Sequence, residues 1–414
     1  MRHGRQSTLA NHLTIASERR SPCSAVVDQR LLIAGDVLTR CVLACVVLTA
    51  LTIPVATSAA EAAPGGAAIP AWALGPFVKQ EKPVLEPNPS ATFACPVAGK
   101  VVHWESQNVY NPAVVVKDDK VWLLYRADDE PRSSGWGRTC RIGLAVSSDG
   151  RNFTRFAEPV IYPDNDAFKQ YEWEGGCEDI HIIEDEAGKY YVNYTAWNGK
   201  TDSIGVATST DLRHWTKHGP AFGKAYGGKF IFGTRTGAVV CRRDGERLVA
   251  AKIQGKYWMY WKIGCYLASS DNLIDWTPLL NDQGQPVSLL PPRPQLFDSG
   301  CAESGAIALL TPHGILHFYN ALNQPAAEGG DKSLVAGWSG LGQALFAADK
   351  PERLTQRRES PFIRAEFPWE LSGFTPPAVV ANGMVFFHGE WLLYYGAADR
   401  RIGLAVCKPT EGSR

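Results

Sequence analysis

The chain has 414 residues, 45% hydrophobic and 20% charged, with 42 Lys+Arg balancing 42 Asp+Glu. Zero net charge gives no footprint for nucleic acid or an anionic membrane surface, and the composition is that of a globular protein able to build a large core. None of the ten cysteines forms a C-x-x-C pair, so a zinc site is not expected, and most should be small buried hydrophobes.

The chain opens on a leader. "VLTRCVLACVVLTALTIPVATSAAEAAPGG" places an apolar run after Arg-containing sequence, and Ala60-Glu61-Ala62 fits an A-x-A cleavage site. Residues 1–63 therefore read as an export signal directing the protein to the periplasm or the exterior. If uncleaved, the run is long enough to stay as a membrane anchor. Residues 64–104 read as an extension that helps close the following domain, and 105–414 as that domain.

From residue 105 onward the sequence repeats. "RIGLAVSSDGRNF" (141–153), "SIGVATSTDLRHW" (203–215) and "KIGCYLASSDNLIDW" (262–276) are copies of one unit, with looser versions at 340–354 and 400–406. Two strand-like runs precede each copy, such as "NPAVVV" and "VWLLYRA", or "EDIHII" and "KYYVNYTA". Turn formers such as Asp118-Asp119 and Ala187-Gly188 separate them. Short strands in groups of about four, repeated five times, predict an all-β, five-bladed β-propeller.

Registering the repeats aligns "CEDIHI" with "CAESGAI" and pairs Asp179 with Glu303. The same register extends to Asn111 in the first blade and Arg235 in the third. First strands line the axis of a propeller, so these four residues should converge there. A structural ion-pair plug is the plain alternative. If "GGCEDIHI" (175–182) is a strand, Asp179 and His181 share one face while Glu178 and Ile180 share the other.

Two acids across a cleft suit glycoside hydrolysis: one protonates the leaving oxygen, the other activates water or attacks the sugar. Arg235 could keep one of them ionised. Aromatic side chains (Tyr110, Trp136, Tyr194, Trp197, Trp258, Trp261) could offer faces to a sugar.

These motifs resemble glycoside hydrolase family 130, the β-mannoside phosphorylases and hydrolases built on five-bladed propellers. The resemblance covers roughly residues 105–407 through "NPAVVV…LLYRADDE", "YEWEGGCEDIHI", "STDLRHW", "GKYWMYW" and "LLYYGAADRRIGLAV". It implies a general acid at Asp179, with Glu178 orienting or packing on the other side of the strand. It implies sugar contacts from Asn111, Arg126 and Asp399, with Asp128 a weaker candidate beside Arg126. The family continues the Glu-Asp pair with Pro-Arg, whereas this chain has Ile180-His181. His181 is therefore open between contacting substrate and filling space.

Family phosphorylases carry a His-Arg strand in blade three and a Gly-rich, Pro-containing strand in blade four. This chain has "AAKI" and "GCAESGAIAL" there. Arg235 and Lys252 remain as cations, but a carboxylate at Glu303 would repel phosphate and could deprotonate water. The expectation is an inverting β-mannoside hydrolase with Asp179 as acid and Glu303 as base. The alternatives are a phosphorylase using inorganic phosphate, an arabinan- or fructan-type hydrolase, which would carry Asp where Asn111 stands, and a non-catalytic glycan-binding propeller. The partner is an oligosaccharide, and no cofactor or metal is expected.

Overall fold

The computed structural model describes residues 69–129, 138–375 and 377–409. The expected leader, the first residues of the extension and Trp136 lie outside them. Among the described residues no helix is long and apolar enough to cross a membrane.

The chain forms the five-bladed β-propeller expected from the repeats. Blade one contains Asn108–Lys117, Lys120–Asp128, Cys140–Ser147 and Thr154–Arg155; blade two contains Gly176–Glu184, Tyr190–Trp197, Asp202–Ser209 and Thr216–Pro220. Blade four contains Cys301–Thr311, Gly314–Leu322, Ser339–Phe346 and Leu354–Arg357. Blade three is irregular. Its first strand, Gly237–Asp244, pairs with Arg247–Ala250 at one end and with Lys256–Trp261 at the other, because a small hairpin interrupts the second strand. Blade five contains Val379–Phe387, Glu390–Ala397 and Arg401–Cys407, and its outer strand comes from far upstream: Val78 and Lys79 pair with Val406 and Ala405.

One buried pattern recurs in four blades. A second-strand tyrosine (Tyr125, Tyr194, Tyr319, Tyr395) lies against a third-strand glycine (Gly143, Gly205, Gly342, Gly403), where a Cβ would come within 2.6 Å of the ring. Each hydroxyl donates to a carboxylate: Tyr125 to Glu105, Tyr194 to Glu172, Tyr319 to Asp298 and Tyr395 to Glu370. An outer-strand cation then neutralises each one: Arg155, Lys217, Arg357 and Lys79, respectively. Burying these charges is tolerable because each is paired and hydrogen-bonded. Lys79 thus fills in blade five the place that Arg155 fills in blade one. Cys95, Cys140, Cys177, Cys241, Cys265 and Cys407 are buried free thiols.

Candidate active site

In blades one, two and four the residue after this tyrosine points the other way, across to the next blade. Asn320 Oδ1 accepts the Ala381 N–H of blade five, and Thr195 Oγ1 accepts the Thr236 N–H of blade three. In blade one the same position is Arg126. A guanidinium therefore reaches blade two where the other blades supply small neutral groups.

What it meets is shaped by β-bulges. The first strands of blades one, two, four and five each slip register near the axis, at Asn111, Asp179, after Ser304 and at Asn382. Pro112 cannot donate to the ladder, and Gly305 and Gly383 allow close backbone approach. In blade two Asp179 is itself the extra residue, so simple alternation fails there. Glu178 and Asp179 both turn to Arg126, whose Nη2 lies 2.8 Å from Glu178 Oε1 and whose Nη1 lies 2.8 Å from Asp179 Oδ1. The expectation that Glu178 faces the opposite side of the strand is therefore corrected.

Asp179 is held by three side chains from the two neighbouring blades. Asn111 Nδ2 donates to Oδ1 at 2.7 Å alongside Arg126, and Arg235 Nη1 reaches Oδ2 at 3.2 Å. Although burial pushes its pKa upward, the two guanidiniums and Asn111 hold Asp179 down at about 2. The side-chain carboxyl of Glu303, on the first strand of blade four, accepts no hydrogen bond from the described residues. Burial raises its pKa to about 7; Arg235 opposes the rise, and Asp179, Asp399 and Asp202 add to it. The register thus brings Asn111, Asp179, Arg235 and Glu303 together. The pair has unequal charge: one carboxylate is ionised throughout the neutral range, while the other holds a proton up to near neutrality.

A family model described as beta-1,4-mannooligosaccharide phosphorylase matches residues 79–411. This chain belongs to glycoside hydrolase family 130. A 1,2-beta-oligomannan phosphorylase of Thermoanaerobacter sp. is 28% identical over 309 residues, covering 73% of this chain and 90% of that protein. A solved glycosyl hydrolase from Bacteroides ovatus is 41% identical, with TM-score 0.80, over 83% of this chain and 96% of its own. Another structure (42% identity, TM-score 0.79, 83% and 96% coverage) is described by the statement that "the GH130 family of mannoside phosphorylases contains glycoside hydrolases that target beta-1,2 mannosidic linkages in Candida mannan".

Three candidates for the site of this family 130 chain, Asp128, Tyr194 and Lys252, are placed otherwise, and of its two readings His181 takes that of filling space. Asp128 is 1% exposed and accepts hydrogen bonds from Asn108 and Tyr110. Tyr110 in turn lies under Arg126, 4.7 Å from its guanidinium carbon, so Asp128 supports the site from below. Tyr194 belongs to the buried tyrosine–carboxylate pattern. His181 is locked between blades: Nε2 donates to the Gly305 carbonyl at 2.8 Å, and Nδ1 lies 3.0 Å from Thr236 Oγ1. Burial lowers its pKa to about 4, so it is neutral packing in the channel. Lys252 sits on the exposed hairpin that interrupts blade three, with its ammonium 4.9 Å from the Tyr257 ring centre.

Asp399 does border the site. Thr375 Oγ1 donates to its Oδ2, and its charge acts on Glu303 and Tyr110. Two further residues have no counterpart in the first-strand register. Asp202 accepts from Arg235 Nε at 3.0 Å, and Lys262 carries a charge that interacts with both Asp202 and Arg235. The backbone beside Lys262 also touches the first strand of blade four, where Ile263 bridges Glu303.

Gly396 makes the placement of Asn111 possible. A Cβ there would lie 2.7 Å from Asn111 Oδ1 and 2.9 Å from its backbone N, while Asn111 itself has φ 45°. Gly396→Ala is expected to displace Asn111, to cost about 1–3 kcal/mol of stability and to lower turnover. Denaturant unfolding together with kcat would check this; full activity would show that the Asn111–Asp179 bond is dispensable.

Proposed function

We propose that the protein cleaves β-mannosidic oligosaccharides at this cluster by inverting hydrolysis, with Asp179 and Glu303 as the acid–base pair. The observation that carries hydrolysis is the state of the cations. Arg126 is already shared between Glu178 and Asp179, and Arg235 between Asp179 and Asp202. Five carboxylates (Glu178, Asp179, Asp202, Glu303, Asp399) surround three cations (Arg126, Arg235, Lys262), so an incoming phosphate would meet net negative charge. Water meets no such barrier. The Candida mannan description, attached to a structure 42% identical, also supports this reading.

The charges set by these neighbours are the reverse of an acid at Asp179 and a base at Glu303. Below about pH 7 a single proton serves the pair, and it rests on Glu303. Asp179 can take up that proton once a sugar hydroxyl draws Arg126 or Arg235 away, because those guanidiniums are what depress its pKa.

Phosphorolysis is the second reading. The names of the family model and of the Thermoanaerobacter relative favour it over hydrolysis. In this chain it would use Arg235 and Lys262 as phosphate ligands rather than the exposed Lys252. The experiment is incubation with β-1,2- and β-1,4-linked manno-oligosaccharides, with and without inorganic phosphate, followed by proton NMR. Free α-mannose appearing first without phosphate supports hydrolysis with inversion. Mannose 1-phosphate formed only with phosphate would overturn it in favour of the second reading.

A further inference from the structure

Arg235 lies just before the first strand of blade three, in a segment with no regular secondary structure, yet its guanidinium is fixed. Nε donates to Asp202 Oδ2 at 3.0 Å, and Nη1 lies 3.2 Å from Asp179 Oδ2. The segment itself is held by the same neighbours. The Asp202 carbonyl accepts the Gly233 N–H at 2.9 Å, and Lys262 Nζ donates to the Gly233 carbonyl. On either side of Arg235, Thr234 Oγ1 accepts the Ile204 N–H and Thr236 Oγ1 donates to the Asn193 carbonyl. Asp202 begins the third strand of blade two, so this clamp joins two blades.

The clamp has an electrostatic consequence. An unanchored guanidinium would swing to meet Asp179 with two parallel N–H···O bonds, the arrangement that Arg–carboxylate pairs favour. Anchoring Nε elsewhere leaves the contact with Asp179 single. The guanidinium's charge then still acts on Glu303.

We propose that Asp202 is a positioning residue for the reaction: it holds Arg235 between Asp179 and Glu303, with Lys262 locking the segment that carries the arginine. Asp202 itself touches neither carboxylate of the pair; it holds the guanidinium by contact and reaches Glu303 by its charge alone. This rests on the reading of Asp179 and Glu303 as the acid–base pair. The charged and titratable groups that act on Glu303 are Arg235, Asp179, Asp399 and Asp202, together with the Cys265 thiol.

The test compares Asp202→Asn, which keeps an acceptor but removes the charge, with Asp202→Ala, which removes both. Two measurements are made: steady-state kinetics on a manno-oligosaccharide across pH, and the titration of the Glu303 carboxyl by carbon NMR in the empty enzyme. In Asp202→Asn, Glu303 should titrate at lower pH than in the wild type, because a negative neighbour is gone while Arg235 stays. Asp202→Ala should lose up to about 100-fold in kcat, the scale of a misplaced catalytic group, with KM less affected. Asp202→Asn should lose less, and Asp202→Glu should restore the wild-type titration. An unshifted Glu303 titration in Asp202→Asn would overturn the proposal, as would equal kcat losses in the two variants. If the wild type cleaved no mannoside, the proposed function would fail, while the NMR titration would still decide the link between Asp202 and Glu303.

Discussion

Glu303→Gln should lower kcat/KM on β-mannosides by about 10²–10⁴-fold, the range of a general acid or base, and Asp179→Asn should do the same. The two losses should differ in character. An aryl mannoside whose phenolate leaves without protonation has no need of the acid, so Asp179→Asn should keep most of its activity on that substrate. Glu303→Gln should not, but azide should replace the activated water and yield the α-mannosyl azide. The opposite pattern would exchange the roles, in the direction to which the charges of the pair point. Because kcat/KM reports the free enzyme, the wild-type value should fall as pH rises through about 7, where the pair loses its shared proton. The fall should vanish in Glu303→Gln, which has nothing to titrate there. A fall that persisted in that variant would assign the limb to another group.

The blades were legible because each strand group carries its own alternating pattern and ends in a Ser/Asp turn. The meeting of Asn111, Asp179, Arg235 and Glu303 was legible for a related reason: equivalent positions in a propeller share an axis. Two of the misplaced residues, Glu178 and Lys252, fall where that regularity breaks. Glu178 was assigned to the wrong face because the bulge at Asp179 inserts a residue that a period of two cannot anticipate. Lys252 was expected near phosphate because "AAKI" occupies the place of a second strand, but in blade three that strand opens into a hairpin facing solvent. Tyr194 could have been recognised as structural, since "LLYRA", "VNYTA", "HFYNA" and "LLYYGA" set a tyrosine at one position in four blades. Its carboxylate partner, Glu172, lies in a short helical turn outside the repeat. Asp202 and Lys262 left no signal in the first-strand register, because a third strand and a connecting loop carry them in.

Removing the Arg126 side chain should have the largest effect on stability. Glu178 and Asp179 are adjacent in sequence, and their side chains are only 11% and 12% exposed. Arg126→Met fills similar space but leaves Glu178, among the described residues, with a long contact from the Cys140 thiol, 3.6 Å away, and the more distant charge of Arg235. It leaves Asp179 to Asn111 and Arg235. Removing one partner from a buried ion pair costs about 3–5 kcal/mol, and here one cation serves two anions. The sign of the pH dependence follows from linkage. In the wild type Asp179 has a depressed pKa, so its stabilising contribution is present above the unfolded value of about 4 and is lost toward about 2. Glu178 is already raised by burial, with Arg126 as the main opposing influence, so its pKa climbs further in the variant. A carboxyl with a raised folded pKa destabilises increasingly as pH rises from its unfolded pKa to its folded one. The stability deficit of Arg126→Met should therefore be larger at pH 8 than at pH 5, where the orphaned carboxyls can take up protons. Urea denaturation at the two pH values reads this directly. A deficit under about 1 kcal/mol, the size of an exposed ion pair, would mean that water reaches the carboxylates and that Arg126 serves substrate alone. A larger but pH-independent deficit would point instead to lost packing over Tyr110.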